Sequence, residues 1–529
     1  MPSGPARGGP GPGRQRSGAD EAPAAGLPAR RVVDARPTPG SKEVPQHPEV
    51  VRIRPTDRLN LLCFPGPVVA KVFGHSWGRG RLGLDETAAG GVPLAPGGVP
   101  FVGHSLRLAR GRAMYLQGLR GRGDVVEMRL GRRAFYVLNS PEAIHDVLVT
   151  QSGKFSKGML FDRVRPYIGN GLASSDGPFH LRQRRIVQPA FHRERVARYS
   201  EMFVEVAGAR VGGWPAGRDM DMGREMRELA VAMLVPALFP FTEGSETGRA
   251  IGDLGARVSR DLGVLVRGVL RATILPPALA VVPTPGRRRF LASAAALRRL
   301  AESAVRQARS SPENHGVLAL LLAHEGGMSD EEACDEMLTF LVAGVETTST
   351  TLSWALHVLA GNPGMADRMS AEARAAEPGV VTPAALPYTA RFVHEVLRLY
   401  QPLWFMGRRA LETVRVGRYE IPRGAEAVYS AATLHRDPAC FPDPLRFDPD
   451  RWLTRPEKSL PRAAYLPFGA GNRKCIGDGF AWAEMLAVLS AVTTRWHLRP
   501  VPGHRVRAVA DAQIHPDALP MSVTPRATG

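Results

Sequence analysis

Cysteine is scarce: Cys63, Cys334, Cys440 and Cys475 are the four in 529 residues. Such a number builds no disulfide scaffold, and no pair has zinc-site spacing, so a reducing cytoplasm is the expected compartment. Long apolar runs are missing. A membrane-spanning helix needs about 20 apolar residues, and the best stretch, 59–73, is broken by Pro65, Gly66, Pro67 and Lys71. The N-terminus has no compact apolar core of the signal-peptide kind. Aromatic residues make up only 7% of the chain, and no basic-aromatic platform occurs. The net charge of +19 therefore does not read as a nucleic-acid surface. Its 69 Lys and Arg, mostly Arg, are spread along the chain among 50 acids. A surface of that kind suits an acidic protein partner or an anionic membrane surface. There is no internal repeat.

What is present has an order. Residues 1–58 are rich in Pro, Gly, Ala and Arg and show little apolar periodicity. Such a composition cannot build a core and predicts disorder. Residues 1–91 are read as an N-terminal extension and 92–529 as one domain. The run from Val92 to Pro100, with Pro93, Pro96, Gly97 and Gly98, is a stiff entry. Segments 124–130 and 134–138 read as a hairpin around Gly131 and Arg132. From 178 to 358 the pattern is helical, with proline joints at Pro276, Pro277 and Pro283. Segment 498–523 is strand and turn. The balance is mainly α, an α+β arrangement with a small sheet split between the two ends.

The string Phe468-Gly469-Ala470-Gly471-Asn472-Arg473-Lys474-Cys475-Ile476-Gly477 is the most informative one. Its glycines allow a tight loop whose backbone approaches a flat ligand. Loop N–H groups and the start of the helical run 480–492 favour thiolate over thiol. A buried thiol or a nucleophilic cysteine would fit the residue alone. A thiolate held this way also meets the need of a haem iron for an electron-pushing axial ligand.

Further segments carry chemistry. Ser329 caps a helix of about 31 residues, with Glu332 as capping-box partner and Gly361 and Pro363 at its end. In its middle stands Ala343-Gly344-Val345-Glu346-Thr347-Thr348, a costly sequence inside a helix. Its small residues leave room for a flat ligand and dioxygen, and a threonine hydroxyl can open the helix ladder; a packing glycine with a threonine back-bonded to the helix would fit the string alone. Glu395 and Arg398 lie three apart on one helix face among apolar neighbours, which implies a buried pair in need of further partners. His180 and Arg184 share a helix face in Gly177-Pro178-Phe179-His180-Leu181-Arg182-Gln183-Arg184-Arg185 and can bind carboxylates by charge-assisted hydrogen bonds.

In this order, the segments resemble the motifs of the cytochrome P450 family of haem-thiolate monooxygenases, in its bacterial form. The resemblance spans about residues 92–523. It implies the P450 fold, helix-rich with a small split sheet, and haem b between the long central helix and the Cys475 loop. It makes Cys475 the iron ligand and places Phe468 and Arg473 against the cofactor. His180, Arg184, Arg408 and Arg473 would hold the propionates, with Arg409 a rival for Arg408. Glu346 and Thr347 would form the proton-delivery pair. Arg451, in Phe447-Asp448-Pro449-Asp450-Arg451-Trp452, would join Glu395 and Arg398 in a structural trio. The departures are the long N-terminal extension and Phe179-His180 where many relatives carry an indole.

The activity so implied is insertion of one oxygen atom from O2 into a small apolar molecule by a cytoplasmic monomer. The stretch after Cys475 is too short for a reductase domain, so electrons are expected from a separate ferredoxin and ferredoxin reductase. Arg473 and Lys474 would put positive charge on the cysteine side. No nucleic-acid partner and no transmembrane segment are expected. Substrate walls are expected from 161–173, 262–274, 338–342, 403–406 and the turn near Leu519. Segments 99–106 and 168–177 resemble those of bacterial terpene oxidisers, which points to a sesquiterpene-type substrate. Fatty-acid or polyketide hydroxylation remains open, as does a haem-binding protein without turnover.

Overall fold

The hydroxyl of Ser329 accepts the Glu332 N–H while the Glu332 carboxylate accepts the Ser329 N–H, and the longest helix starts there. The computed structural model describes residues 91–239, 255–268, 282–310, 316–324, 327–510 and 512–527. All of them lie in one unit, Val50–Gly529. The extension assigned to residues 1–91 falls outside the described residues except for Gly91, as do Cys63 and part of the 262–274 wall.

The helices that frame the site are α1 (Ser105–Gln117), α2 (Met159–Ile168), α3 (Gly177–Val187), α4 (Arg193–Gly212), α5 (Met222–Leu238), α6 (Pro285–Ser310), α7 (Asp330–Ala360), α8 (Pro387–Leu399) and α9 (Asp478–Arg495). At about 1.5 Å per residue α7 runs for about 46 Å, long enough to form the axis of the core. It packs against α5, α6 and α9. Phe480 on α9 meets Phe203 and Tyr199 of α4 edge to face, closing the layer behind Cys475.

A five-stranded sheet is built from β1 (Val125–Leu130), β2 (Arg133–Leu138), β3 (Phe155–Ser156), β4 (Met406–Ala410) and β5 (Glu426–Tyr429), in the order β1-β2-β5-β4-β3. β2 and β5 run parallel, and the other neighbours are antiparallel. The expected hairpin is β1–β2. Near the C-terminus, Trp496–Pro500 and Pro520–Pro525 pair in a sheet completed by Asp219–Asp221. A separate hairpin joins Ala508–Ala510 to Ile514–Pro516. The architecture is thus mainly α with small sheets drawn from both ends of the chain.

The buried trio forms, the pair as the spacing implies and its third member as the resemblance implies. Glu395 and Arg398 are both fully buried and make two parallel N–H···O bonds of 2.8 Å. Arg398 also donates to the carbonyls of His435, Pro444 and Arg446. Arg451 reaches Glu395 at 3.4 Å, and the Trp452 indole donates to the same carboxylate. Every lone pair of the carboxylate is used, which is the condition under which a buried ion pair is tolerable. The pair fastens α8 to the stretch leading into the Cys475 loop.

Candidate functional site

A helix in the middle of a protein has no reason to expose its centre. Residues 333–341 of α7 are buried throughout, and so is most of 348–360. Between them Ala343 is exposed, and Val342, Gly344 and Thr347 are half-buried. One face of α7 therefore opens onto an internal space at Ala343 and Thr347. The Thr347 hydroxyl donates to the Ala343 carbonyl at 2.6 Å, so its oxygen lone pairs remain for a group in that space. Gly344 takes the packing role: a Cβ there would sit 2.8 Å from Leu234 Cδ2, so this glycine lets α5 approach α7. The room for a ligand comes from Ala343.

Glu346 is buried and lies 3.5 Å from the Arg227 guanidinium on α5. Arg227 is itself partly exposed, so the pair connects the interior to solvent. Thr348 turns the other way and donates to Glu484 on α9 at 3.1 Å.

Cys475 has accessible surface, although it lies deep within the protein mass. The loop is shaped by Gly469 and Gly471 at positive φ, and a Cβ on Gly471 would collide with the Leu148 carbonyl. The Cys475 N–H donates to Phe468 O at 2.9 Å, and Phe468 is half-buried beneath it. The loop and the following helix start are expected to favour the thiolate. Burial outweighs them and pushes the thiol up to about 11, although the Gly477 N–H lowers it. Metal coordination deprotonates a thiol outright, so the charge on sulfur depends on the metal rather than on the loop.

A cationic cluster lies beside this loop. Arg473 donates to Ser175 O and pairs with Asp176 at 2.5 Å. His180 is buried, with Nδ1 3.3 Å from the Ser175 hydroxyl and Nε2 without a hydrogen-bond partner. Arg184 donates to Lys474 O at 2.9 Å. Lys157, which no motif marks, is buried among them. Burial and the nearby Arg408 and Arg473 hold its ammonium well below the ordinary lysine range. Burial, Arg473 and Lys157 bring His180 down to about 4. Asp176 is the one carboxylate paired with this group among the described residues.

Arg408 and Arg409 part company. Alternation along β4 sends them to opposite faces of the sheet. Arg409 pairs with Glu426 and with Asp162 at 2.8 and 2.7 Å. Arg408 is buried, donates to the Gly407 carbonyl, and adds its charge to that of Lys157 and Arg473. Lys474, expected to serve a partner protein, is paired with Asp478 at 2.6 Å, and Arg473 is buried. The turn near Leu519 is no wall of the site. Its carbonyl accepts the Met222 N–H, and it packs beside Gly223 at the start of α5. Ile514, of the neighbouring hairpin, instead ties the chain near Leu403 to α7: its N–H donates to Pro402 O and its carbonyl accepts the Trp354 indole N–H. Lys157 and Arg227 had no sequence signal, since one is a lone lysine and the other sits in an acid–base run resembling a solvated helix face.

The donor set fits an iron porphyrin. A sulfur and an open helix face bound the space, and clustered cations with unpartnered His180 Nε2 and Arg473 Nε suit two carboxylates. The loop from Gly169 to Asp176 spans from this cluster to α7. Asn170 N–H donates to Asp335, Leu172 N–H donates to Glu336, and Arg298 of α6 pairs with Asp335 at 2.5 Å.

A profile of the Cytochrome P450 family matches residues 93–517. Cyclooctatin synthase of Streptomyces melanosporofaciens is 38% identical over 82% of this chain and 95% of its own. Cyclooctat-9-en-7-ol 5-monooxygenase of the same organism is 37% identical over 82% and 95%. Pentalenene oxygenase of Streptomyces avermitilis is 32% identical over 82% and 98%. The crystal structure of the cytochrome P450DA heme domain superposes with a TM-score of 0.72 at 26% identity, covering 82% of this chain and 98% of that one. With the sulfur, the open face of α7 and the cation cluster already in place, these likenesses leave one conclusion: the chain belongs to the cytochrome P450 family and is a monooxygenase that carries haem b.

Proposed function

We propose that this enzyme oxygenates a compact terpene of the sesquiterpene type, as a hydrocarbon or its first alcohol, in secondary metabolism. The observation that carries the proposal is the apolar character of two incompletely buried stretches: Val342 and Ala343 on the open face of α7, and Leu403, Trp404, Phe405 and Met406 shortly after α8. A pocket of this composition gives hydrocarbon shape recognition with few polar anchors. Among the Streptomyces relatives, the names pentalenene oxygenase and cyclooctat-9-en-7-ol 5-monooxygenase support the terpene class but not its size.

Haem, when bound, supplies oxygen activation and the one-electron chemistry. Cys475 gives its sulfur to the iron, with Phe468 packed below. Arg408, Arg473, His180, Arg184 and Lys157 hold the propionates. Thr347 accepts a hydrogen bond in the pocket and passes protons onward from Glu346, whose carboxylate is held by the partly exposed Arg227 and takes its protons from water. Residues 92–529 form the catalytic domain, working as a cytoplasmic monomer. An acidic ferredoxin with its reductase delivers electrons. It docks on exposed Arg185, Arg193 and Arg198, because Gly477 and Gly479 of the cysteine side abut Phe191 and Val196 at the start of α4.

The test is turnover with a ferredoxin and reductase under 18O2, with sesquiterpenes, fatty acids and polyketide lactones offered in parallel. A substrate-induced spin shift and one labelled oxygen in a terpene product are expected. Shift and product with fatty acids alone would replace the terpene reading with the hydroxylase reading.

A further inference from the structure

Five of the twelve large apolar side chains left in solvent among the described residues are Val99, Phe101, Val102, Leu106 and Met114. Four of them belong to one short stretch. Val99 and Gly103 exchange backbone hydrogen bonds of 3.0 and 2.7 Å, so Pro100, Phe101 and Val102 form a tight tip. Phe101 is 96% exposed and sits at φ +64. A positive φ is costly for a bulky L-residue, and this one gains no burial in return. Strain and bare apolar surface at the same residue indicate a role outside the fold itself.

The surroundings are cationic. The Gly131 N–H donates to Val102 O, and Gly103 bridges Leu130, which sets the β1–β2 turn beside the tip. That turn presents exposed Arg132 and Arg133, and α1 adds exposed Arg107 and Arg110 next to Leu106. Residues 99–133 contain eight arginines and two acids, Asp124 and Glu127. Glu127 is buried and paired with Arg129. A groove of about 680 Å³ opens at Arg133 and is lined also by Arg163, Arg409 and Arg423. Its acids, Asp162 and Glu426, are both bonded to Arg409.

We propose that the Val99–Gly103 tip docks this enzyme on an anionic lipid bilayer, with Phe101, Val102 and Leu106 among the acyl chains and the arginines on lipid phosphates. The chemistry is that of interfacial binding, where apolar insertion and headgroup attraction add. Two other occupants are disfavoured by charge. Residues 1–58 carry ten Lys and Arg against six acids, so the chain's own extension has the same sign. A second copy across a two-fold axis would set the same arginines against themselves. A convex aromatic tip also needs a ready-made pocket in a protein partner, whereas a bilayer yields to it.

The test is co-sedimentation of the full-length holoprotein with vesicles of equal parts phosphatidylglycerol and phosphatidylcholine, and with phosphatidylcholine alone. Binding is expected on the anionic vesicles only and weakened by salt. Phe101→Asp should lower the partition at least about tenfold, and the Arg132→Glu/Arg133→Glu double variant similarly, since each arginine near an anionic surface contributes roughly fivefold. Haem content and the reduced carbon-monoxide spectrum should not change. Melting of Phe101→Asp should hold or rise, because Asp tolerates positive φ better than Phe. Absent binding to anionic vesicles, or equal binding by wild type and Phe101→Asp, overturns the proposal. Self-association that Phe101→Asp abolishes, without vesicle binding, assigns the tip to a second copy and overturns it as well.

Discussion

Two adjacent arginines show how a residue's duty follows from the face it occupies. Arg408 and Arg409 have the same chemistry, but among the described residues only Arg409 is paired with carboxylates. Arg408→Ala is expected to lower haem occupancy several-fold, read as the ratio of Soret to 280 nm absorbance. Arg409→Ala should retain haem and instead melt earlier, by about 1.5–3 kcal/mol, because Glu426 and Asp162 lose charged hydrogen bonds. The family motif left this register open, and the strand's two-residue period separates the two side chains so that these variants can test it. Arg227 presents the reverse case. No spacing rule joins α5 to α7, so its contact with Glu346 is visible only once the helices are packed. Removal of its charge in Arg227→Ala should slow proton entry. The expected readouts are about tenfold less product per electron pair, below the roughly 10²–10⁴-fold of a lost proton donor because Arg227 only positions Glu346, more hydrogen peroxide, and a larger solvent isotope effect. Unchanged coupling would exclude Arg227 from the path.

Among the elements, α7 and α8 were readable because their information is local. A capping box, a terminal Gly-Asn-Pro and an acid three residues from an arginine each lie within a few turns. Gly344 kept two readings for the opposite reason: whether a helical glycine faces a ligand or a neighbouring helix depends on α5, more than a hundred residues away. Leu519 was displaced similarly, since the two C-terminal strand pairs look alike in sequence and only their partners separate them. The best test at this scale is the trio. Glu395→Ala leaves Arg398 buried without its carboxylate. A broken buried pair costs about 3–5 kcal/mol, a large share of an ordinary stability of roughly 5–15 kcal/mol. The variant should accumulate as insoluble or haem-free protein, and a soluble, haem-replete Glu395→Ala with unchanged melting would refute the assignment of a buried lock.

Across the whole molecule, two buried acids lower stability as pH rises, against buried Lys157 and His180, which act in the opposite direction. Burial pushes Glu336 and Glu484 each up to about 8. The folded chain keeps these protons at pH values where an unfolded chain has released them. Their contribution is therefore complete below about pH 4.5, declines as pH rises, and is lost through about pH 8. Melting temperature should fall from pH 6.5 to pH 8.5, and Glu484→Gln, which cannot ionise, should flatten that fall. An equal fall in the variant would show that Glu484 is already ionised.

The loop from Gly169 to Asp176 has a mechanical meaning as well. One end is moored to Asp335 and Glu336, and Asp335 is held by Arg298 of α6; the other end grips Arg473 and the Lys157 backbone. Glycine at 169 and 171 lets it lie flush on α7, with no slack for a side chain. It behaves as a tendon: load applied where α6 meets α7 arrives at the propionate cluster. Arg298→Ala, remote from every proposed cofactor contact, should therefore hasten haem escape to an apomyoglobin acceptor several-fold. An unchanged escape rate would mean the tendon is slack. If it is taut, the grip on the cofactor is set partly by the packing of helices that never touch it.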